Sequence, residues 1–160
     1  MKIPIIIVSV LVGLGLLVLL IRSRVAPVYK VAANEIPTVV ERLRFGPGNP
    51  RYAVLIFFPP GSKDGEAVNL QYSFENGVVG FDWVLLGPRN IADKNGIIEF
   101  AKGIGQVLTE HNENNVRYLR LEGSGAVDLG IRIIRDFYKI DPNVKLEMII
   151  EGFEWPSTAA

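Results

Sequence analysis

The sequence contains no cysteine and one histidine, His111, among its 160 residues. Without cysteine there are no disulfides, no thiolate nucleophile and no cysteine-ligated metal. A single histidine excludes a metal site built on two histidines of one chain. No P-loop, long repeat or low-complexity run is present, so we expect no metal and no cofactor.

The sequence also lacks the basic excess that nucleic-acid binding requires. Of 17 Lys and Arg residues, four lie in the first 30 positions, which leaves 13 in residues 31–160 against all 17 Asp and Glu. This part is therefore mildly acidic, whereas nucleic-acid binding needs a concentrated basic face. We expect no nucleic-acid partner.

One long apolar run is present, Ile3 to Ile21, and no charged residue interrupts it. Of its 19 residues, 15 are Ile, Val or Leu. As a helix it would be about 28 Å long, close to the roughly 30 Å hydrocarbon core of a bilayer. We predict a retained transmembrane signal-anchor helix with a basic flank over residues 1–24.

A cleaved signal peptide is the competing interpretation, but its apolar region is usually shorter, and Arg22 and Arg24 disfavour a cleavage site. Three basic residues follow the run (Arg22, Arg24, Lys30), against Lys2 and the α-amine before it, which predicts a single-pass protein with its following domain in the cytoplasm. Ser9 and Gly13 lie four apart and predict a homodimer contact through the anchor helix; the alternative is that they have no partner.

The rest of the chain alternates between strand and helix patterns. We assign residues 25–50 to a linker with a short helix, 51–156 to one soluble domain and 157–160 to a tail. Alternation over 67–75, Asn76-Gly77, and a return strand over 78–86 predict a β-hairpin. A buried strand is predicted at 52–58, further strands at 116–122 and 144–150, and helices at 90–111 and 126–138. The expected fold is α+β: a two-layer sandwich with a mixed five-stranded sheet, in the order β-β-β-α-β-α-β.

Two sets of residues are candidates for function. Parallel strands would bring their carboxyl ends to one edge, where ligands of such sheets bind. That edge would hold a ligand set of Arg89, Asn90, Glu122, Ser124 and Glu151. The carboxylates of Glu122 and Glu151, at two strand ends, suggest a small-molecule sensor or hydrolase. The alternative is that these residues are ordinary helix caps and solvated strand ends.

Aromatic residues form the second set. The pattern Gly-Phe-acid-Trp occurs at 80–83 and 152–155. Its functional interpretation is a protein-binding surface with Trp83, Phe153 and Trp155; the alternative is buried or half-buried aromatic anchors. Gly123-Ser124-Gly125 resembles a phosphate loop in part, but Asp128 stands where the dinucleotide fingerprint has glycine. His111 has no partner that the sequence can place beside it. We therefore expect no catalytic residue and a membrane-tethered, non-enzymatic module that acts through a protein partner.

Overall fold

The computed structural model describes residues 27–63 and 66–156. The predicted anchor helix lies outside the described residues, as does most of its basic flank. Within these two ranges, no helix combines the length and the apolar character that a membrane crossing needs.

The described residues form an α+β fold, with one antiparallel sheet of seven strands and four α-helices. The strands are β1 (Tyr29–Ala32), β2 (Arg51–Phe57), β3 (Val68–Glu75), β4 (Val78–Val84), β5 (Thr109–Glu113), β6 (Val116–Glu122) and β7 (Lys145–Glu151). The helices are α1 (Ile36–Phe45), α2 (Pro88–Ala92), α3 (Lys94–Gly103) and α4 (Gly125–Arg132), and a π-helical segment, Ile133–Phe137, extends α4.

The predicted mixed sheet of five strands is wrong. The spatial order is β1-β7-β2-β3-β4-β6-β5, and every neighbouring pair is antiparallel. The strands β6 and β7 run in the same direction, but β4, β3 and β2 lie between them. Helices do connect strands, as predicted, but the strands that they connect are not parallel neighbours.

Two strands were missed: β1 is only four residues long, and β5 contains no apolar residue. β5 reads Thr-Glu-His-Asn-Glu and is exposed at one edge of the sheet, where backbone hydrogen bonds to β6 define it. Asn114 and Asn115, both with positive φ, turn the chain into β6. The polar sequence had been interpreted as the end of a helix, and that helix is in fact two shorter ones, α2 and α3.

The segment predicted as a linker contributes to the fold. β1 forms the other edge of the sheet beside β7. α1 buries Ile36, Val39, Val40 and Leu43, which recur at helical spacing. The cis Asn49-Pro50 bond then leads into β2.

The hairpin of β3 and β4 is confirmed. Asn76 and Gly77 have φ angles of 52° and 82°, as a two-residue hairpin turn requires. The register pairs Tyr72 with Phe81 and Gln71 with Asp82. Alternate residues consequently point to opposite faces of the sheet.

The two faces of the sheet differ sharply in composition. Helix residues pack in one apolar core against the first face, whose strand residues include Leu55, Leu70, Tyr72, Phe81 and Trp83. The second face places Gln71, Ser73, Asp82 and Arg120 at its centre, and all four are buried. Polar groups thus occupy the middle of the second face, whereas the helices cover the first.

Candidate functional sites

Arg120 is the centre of a polar cluster on the second face, which we call the Arg120 cluster. Its Nη1 donates to Asp82 Oδ1 at 2.7 Å and to Ser73 Oγ at 3.0 Å, and its Nε donates to Glu122 Oε1 at 2.8 Å. The Ser73 hydroxyl donates to the other oxygen of Asp82 at 2.7 Å. Glu75 lies farther away, 3.8 Å from Nη2. One guanidinium therefore stands against three carboxylates.

Strand pairing assembles this cluster. Asp82 faces Arg120 across β4 and β6, and Ser73 faces Gly80 across β3 and β4. Gly80 leaves room for the guanidinium, since a Cβ there would lie 2.4 Å from Arg120 Cζ. Arg120 and Glu122 are two residues apart in the sequence, but Arg120 meets Asp82 and Ser73 only through the register of three strands.

Burial controls the ionisation of the two inner carboxylates. It raises the pKa of Glu75 to about 7, although the Arg120 charge acts in the opposite direction. Burial also raises the pKa of Asp82, opposed by the Arg120 charge and the Ser73 hydroxyl. Near neutral pH the charge of the cluster therefore depends on Glu75.

Gln71 adds a buried amide beside this cluster. It is fully buried opposite Asp82, and its Oε1 and Nε2 have no hydrogen-bond partner among the described residues. Arg120 Nη2 likewise has no hydrogen-bond partner there. The Ser73 hydroxyl is held between the Asp82 carboxylate and the Arg120 guanidinium, and both Ser73 and Asp82 are fully buried, so the hydroxyl is not open to a substrate as nucleophilic catalysis would require.

The predicted ligand set is not brought together. Arg89 and Asn90 follow the end of β4, whereas Glu122 and Glu151 end β6 and β7, which run in the opposite direction. Glu122 and Glu151 are themselves separated by four strand spacings, or about 19 Å. The expectation depended on parallel neighbours, and the antiparallel sheet removes them.

Asn90 instead completes the edge of a strand. Its Nδ2 donates to the Asn69 carbonyl at 2.7 Å, and its Oδ1 accepts from the Asn69 backbone N–H at 3.2 Å. Pairing of β3 with β4 extends only to Gln71, so beyond that point the Asn90 side chain takes the place of β4 as the hydrogen-bond partner of Asn69. Arg89 pairs with Asp93 at 2.5 Å, and Asp93 also accepts from the Tyr138 hydroxyl at 2.6 Å.

The remaining loop candidates have ordinary local roles. Ser124 is exposed at the start of α4, and its side chain makes no capping hydrogen bond. Asp128, in the first turn of that helix, pairs with Arg132 at 2.7 Å. His111 is exposed on β5, stacks on Tyr118 and lies 2.8 Å from the Thr109 hydroxyl.

The aromatic set divides into core and surface residues. Trp83 is fully buried, and its Nε1 donates to the Asn90 carbonyl at 3.0 Å, so it is a core anchor. Phe153 is also buried. Trp155 is partly exposed, and the Arg42 guanidinium lies 5.5 Å from its ring centre. Of the three, Trp155 alone keeps a surface for contact.

A groove of about 470 Å³ opens where β2 ends and β7 begins. We call it the lysine groove, because three ammonium groups line it. These are Lys30, Lys139 and Lys145. Two acidic residues, Asp141 and Glu147, also line the groove. The remaining lining residues are apolar: Ile56, Phe57, Phe58, Pro60, Ile140, Val144 and Leu146.

The lysines of this groove differ in their pairing. Lys30 pairs with Glu147 at 2.9 Å, and Lys145 pairs with Glu35. Lys139 is exposed at a positive φ of 58° and forms no ion pair with the described part of the chain. Phe58 and Val144 are 59% and 50% exposed. Apolar contact area and an available cation thus lie side by side, a combination that the sequence pattern gave no sign of.

Comparison with known proteins found no matching family model, no matching curated protein and no matching solved structure.

Proposed function

We propose that this protein is a membrane-tethered, non-enzymatic interaction module that binds a protein partner through the lysine groove. The observation that carries the proposal is the groove itself, which pairs exposed apolar side chains with the ammonium of Lys139. The tether is the apolar run of residues 3–21. Its flanking charges favour a cytoplasmic location for the folded part.

The lining of the groove defines the chemistry of the partner. Phe58 and Val144 offer apolar surface that is half or more exposed, as protein contacts use. Lys139 adds a positive charge that no carboxylate of the described residues neutralises in an ion pair. A complementary partner presents an extended segment that combines a large apolar side chain with Asp or Glu.

The alternative, a small-molecule sensor or hydrolase, receives less support from this arrangement. Its two carboxylates, Glu122 and Glu151, lie about 19 Å apart by strand spacing, beyond the separation that acid–base hydrolysis of a glycoside uses. Asn90, also in the proposed ligand set, is buried and occupied by the backbone of β3. The non-enzymatic proposal does not depend on either residue.

A displayed peptide library panned against the full-length protein in lipid nanodiscs tests the groove. We expect enrichment of peptides that combine Leu, Phe or Ile with Asp or Glu. The variant Lys139→Glu should abolish this enrichment, because it reverses the available charge. Lys102→Glu, at an exposed position of α3, is the matched control and should leave the enrichment unchanged.

Enrichment of basic or purely polar peptides, or equal loss in both variants, contradicts binding in the groove. The tether has a separate test: alkaline extraction of membranes should leave the wild-type chain in the pellet. Replacement of Leu14 and Leu17 by Arg should release it, since each arginine costs about 3 kcal/mol of insertion free energy near the helix centre. Release of the wild-type chain would contradict the tether.

A further inference from the structure

We infer that one end of the folded domain lies against an anionic lipid surface and contacts it through Phe45, Trp155, Arg42 and Arg44. We call this the stalk end, because residues 22–26 join the fold there at Pro27. The inference rests on the tether of the proposed function and adds to it a second, peripheral membrane contact.

The length of the stalk, residues 22–26, limits the distance between the folded domain and the membrane. Five residues separate Ile21 from Pro27, and a fully extended chain spans at most about 3.6 Å per residue. Pro27, six Cα–Cα steps from Ile21, consequently lies within about 22 Å of the end of the apolar run. The headgroup layer itself occupies several ångströms of that distance, so the stalk end is held close to the lipid surface.

Side chains suited to a lipid interface cluster at this end. A hollow of about 450 Å³ beside the end of β7 is lined by Pro27, Tyr29, Ile150, Gly152, Phe153 and Trp155, together with the carboxylates Glu151 and Glu154. Tyr29 and Trp155 are partly exposed, and Tyr and Trp are the residues that concentrate at membrane interfaces.

Phe45 belongs to the same end. Gly48 N–H donates to the Gly152 carbonyl at 2.8 Å, which holds the loop after α1 against the residues that follow β7. Phe45 ends α1 just before this loop and is 77% exposed, more than any other large apolar residue described. An exposed phenylalanine of this kind is well placed for insertion between headgroups.

Basic residues surround these apolar groups. Arg42 and Arg44 are exposed in the last turn of α1, and Arg42 lies over the ring of Trp155. Each arginine near an anionic surface contributes about 1 kcal/mol. Among the described residues at this end, Arg42, Arg44 and Arg51 balance Glu41, Glu151 and Glu154, and the sequence of the stalk adds Arg22 and Arg24.

The groove and the stalk end occupy opposite ends of β7. The groove includes Lys145, at the start of this strand, and the stalk-end hollow includes Glu151, at its end, about 20 Å away. An end resting on lipid would therefore leave the lysine groove facing away from the membrane surface.

Fluorescence quenching by brominated phospholipids tests this contact in the full-length protein reconstituted into vesicles. The chain has two tryptophans, and Trp83 is buried in the core, so Trp155→Phe leaves a protected internal reference. In that background, Phe45→Trp should be quenched strongly. Phe58→Trp, a matched exposed position in the groove, should not.

Charge provides the second readout. Quenching in the Phe45→Trp variant should be stronger in phosphatidylcholine vesicles that contain phosphatidylserine than in those without it. Arg42→Glu with Arg44→Glu should remove the difference, whereas Lys102→Glu should not. Equal quenching at positions 45 and 58, or no quenching at either, overturns the inference.

Flotation of the same vesicles separates this inference from the tether. A protein that floats with the vesicles but shows no selective quenching at position 45 overturns the peripheral contact alone. A protein that does not float overturns the tether and this inference together.

Discussion

Gly80 and Arg120 lie on neighbouring strands, and the missing side chain of the first makes room for the guanidinium of the second. A Cβ at position 80 would come within 2.4 Å of Arg120 Cζ and 2.5 Å of Nη2. Arg120 is thereby held flat against the sheet, between Asp82 and Glu122. This contact makes the Arg120 cluster possible, and it leads to the first prediction.

Gly80→Ala should lower the free energy of unfolding by about 1–3 kcal/mol. The new methyl group displaces a buried guanidinium, and its hydrogen bonds to Asp82 and Ser73 are lost with it. Urea unfolding of the full-length protein in detergent measures the change. Gly103→Ala is the control, because nothing lies within 4 Å of a Cβ there; an equal loss in both variants would contradict the steric account.

Arg120→Leu should cost about 3–5 kcal/mol, because it leaves the Asp82 carboxylate buried without its partner. The double variant with Asp82→Leu should recover much of this loss, since no unpaired charge remains. Unfolding of the two single variants and the double variant forms a thermodynamic cycle. Additive losses would show that the two residues do not act as a pair.

Stability should fall as the pH rises from about 4.5 to about 7. Burial raises the pKa of Glu75 from 4.5 to about 7, so the folded state binds the Glu75 proton more tightly than the unfolded state. The stability that protonated Glu75 contributes is fully present below the pKa of Glu75 in the unfolded state, 4.5, and is lost as Glu75 ionises in the folded state near pH 7. The change is at most about 3 kcal/mol.

Glu75→Gln isolates this contribution, because an amide stays neutral throughout. Thermal unfolding across the pH window should show a flatter profile in this variant than in the wild type. Glu99→Gln, at an exposed position of α3, should keep the wild-type profile. An unchanged slope in Glu75→Gln would assign the pH dependence to another group.

Asn90→Ala should lower the free energy of unfolding by about 1–3 kcal/mol. It removes two hydrogen bonds to the backbone of Asn69, at a site where β4 no longer pairs with β3. Asn95→Ala, at an exposed position of α3, should have little effect. Amide hydrogen exchange at Asn69 should accelerate in the first variant alone; protection that persists would show that another group supports this edge.

Local sequence patterns predicted those elements in which the spacing of apolar side chains matches the face that is buried. The hairpin of β3 and β4 combines strict alternation with Asn-Gly, and both signals lie within a few residues. β2, β6, β7, α1 and α4 likewise follow from apolar spacing. The polar edge strand β5 carries no such signal, since its identity comes from the backbone of β6.

The candidate sites were less predictable than the fold. Glu122 appeared in a predicted ligand set, yet its actual partner is Arg120, which has no motif around it. For Trp83 the sequence left a protein-binding surface and a buried anchor open, and the structure places it with Val79 and Phe81 on the helix-covered face. The lysine groove joins residues from three separate segments of the chain, so no local pattern could have shown it.

The sequence by itself determined the long apolar run, the acidic balance of the remainder, and the hairpin of β3 and β4 with its alternating residues. Only the tertiary structure decided which strands are neighbours, and with them the antiparallel sheet, the Arg120 cluster and the groove. The physical reason is that periodicity reports how one element contacts its surroundings. Strand order instead depends on hydrogen bonds and packing between residues that are far apart in the chain.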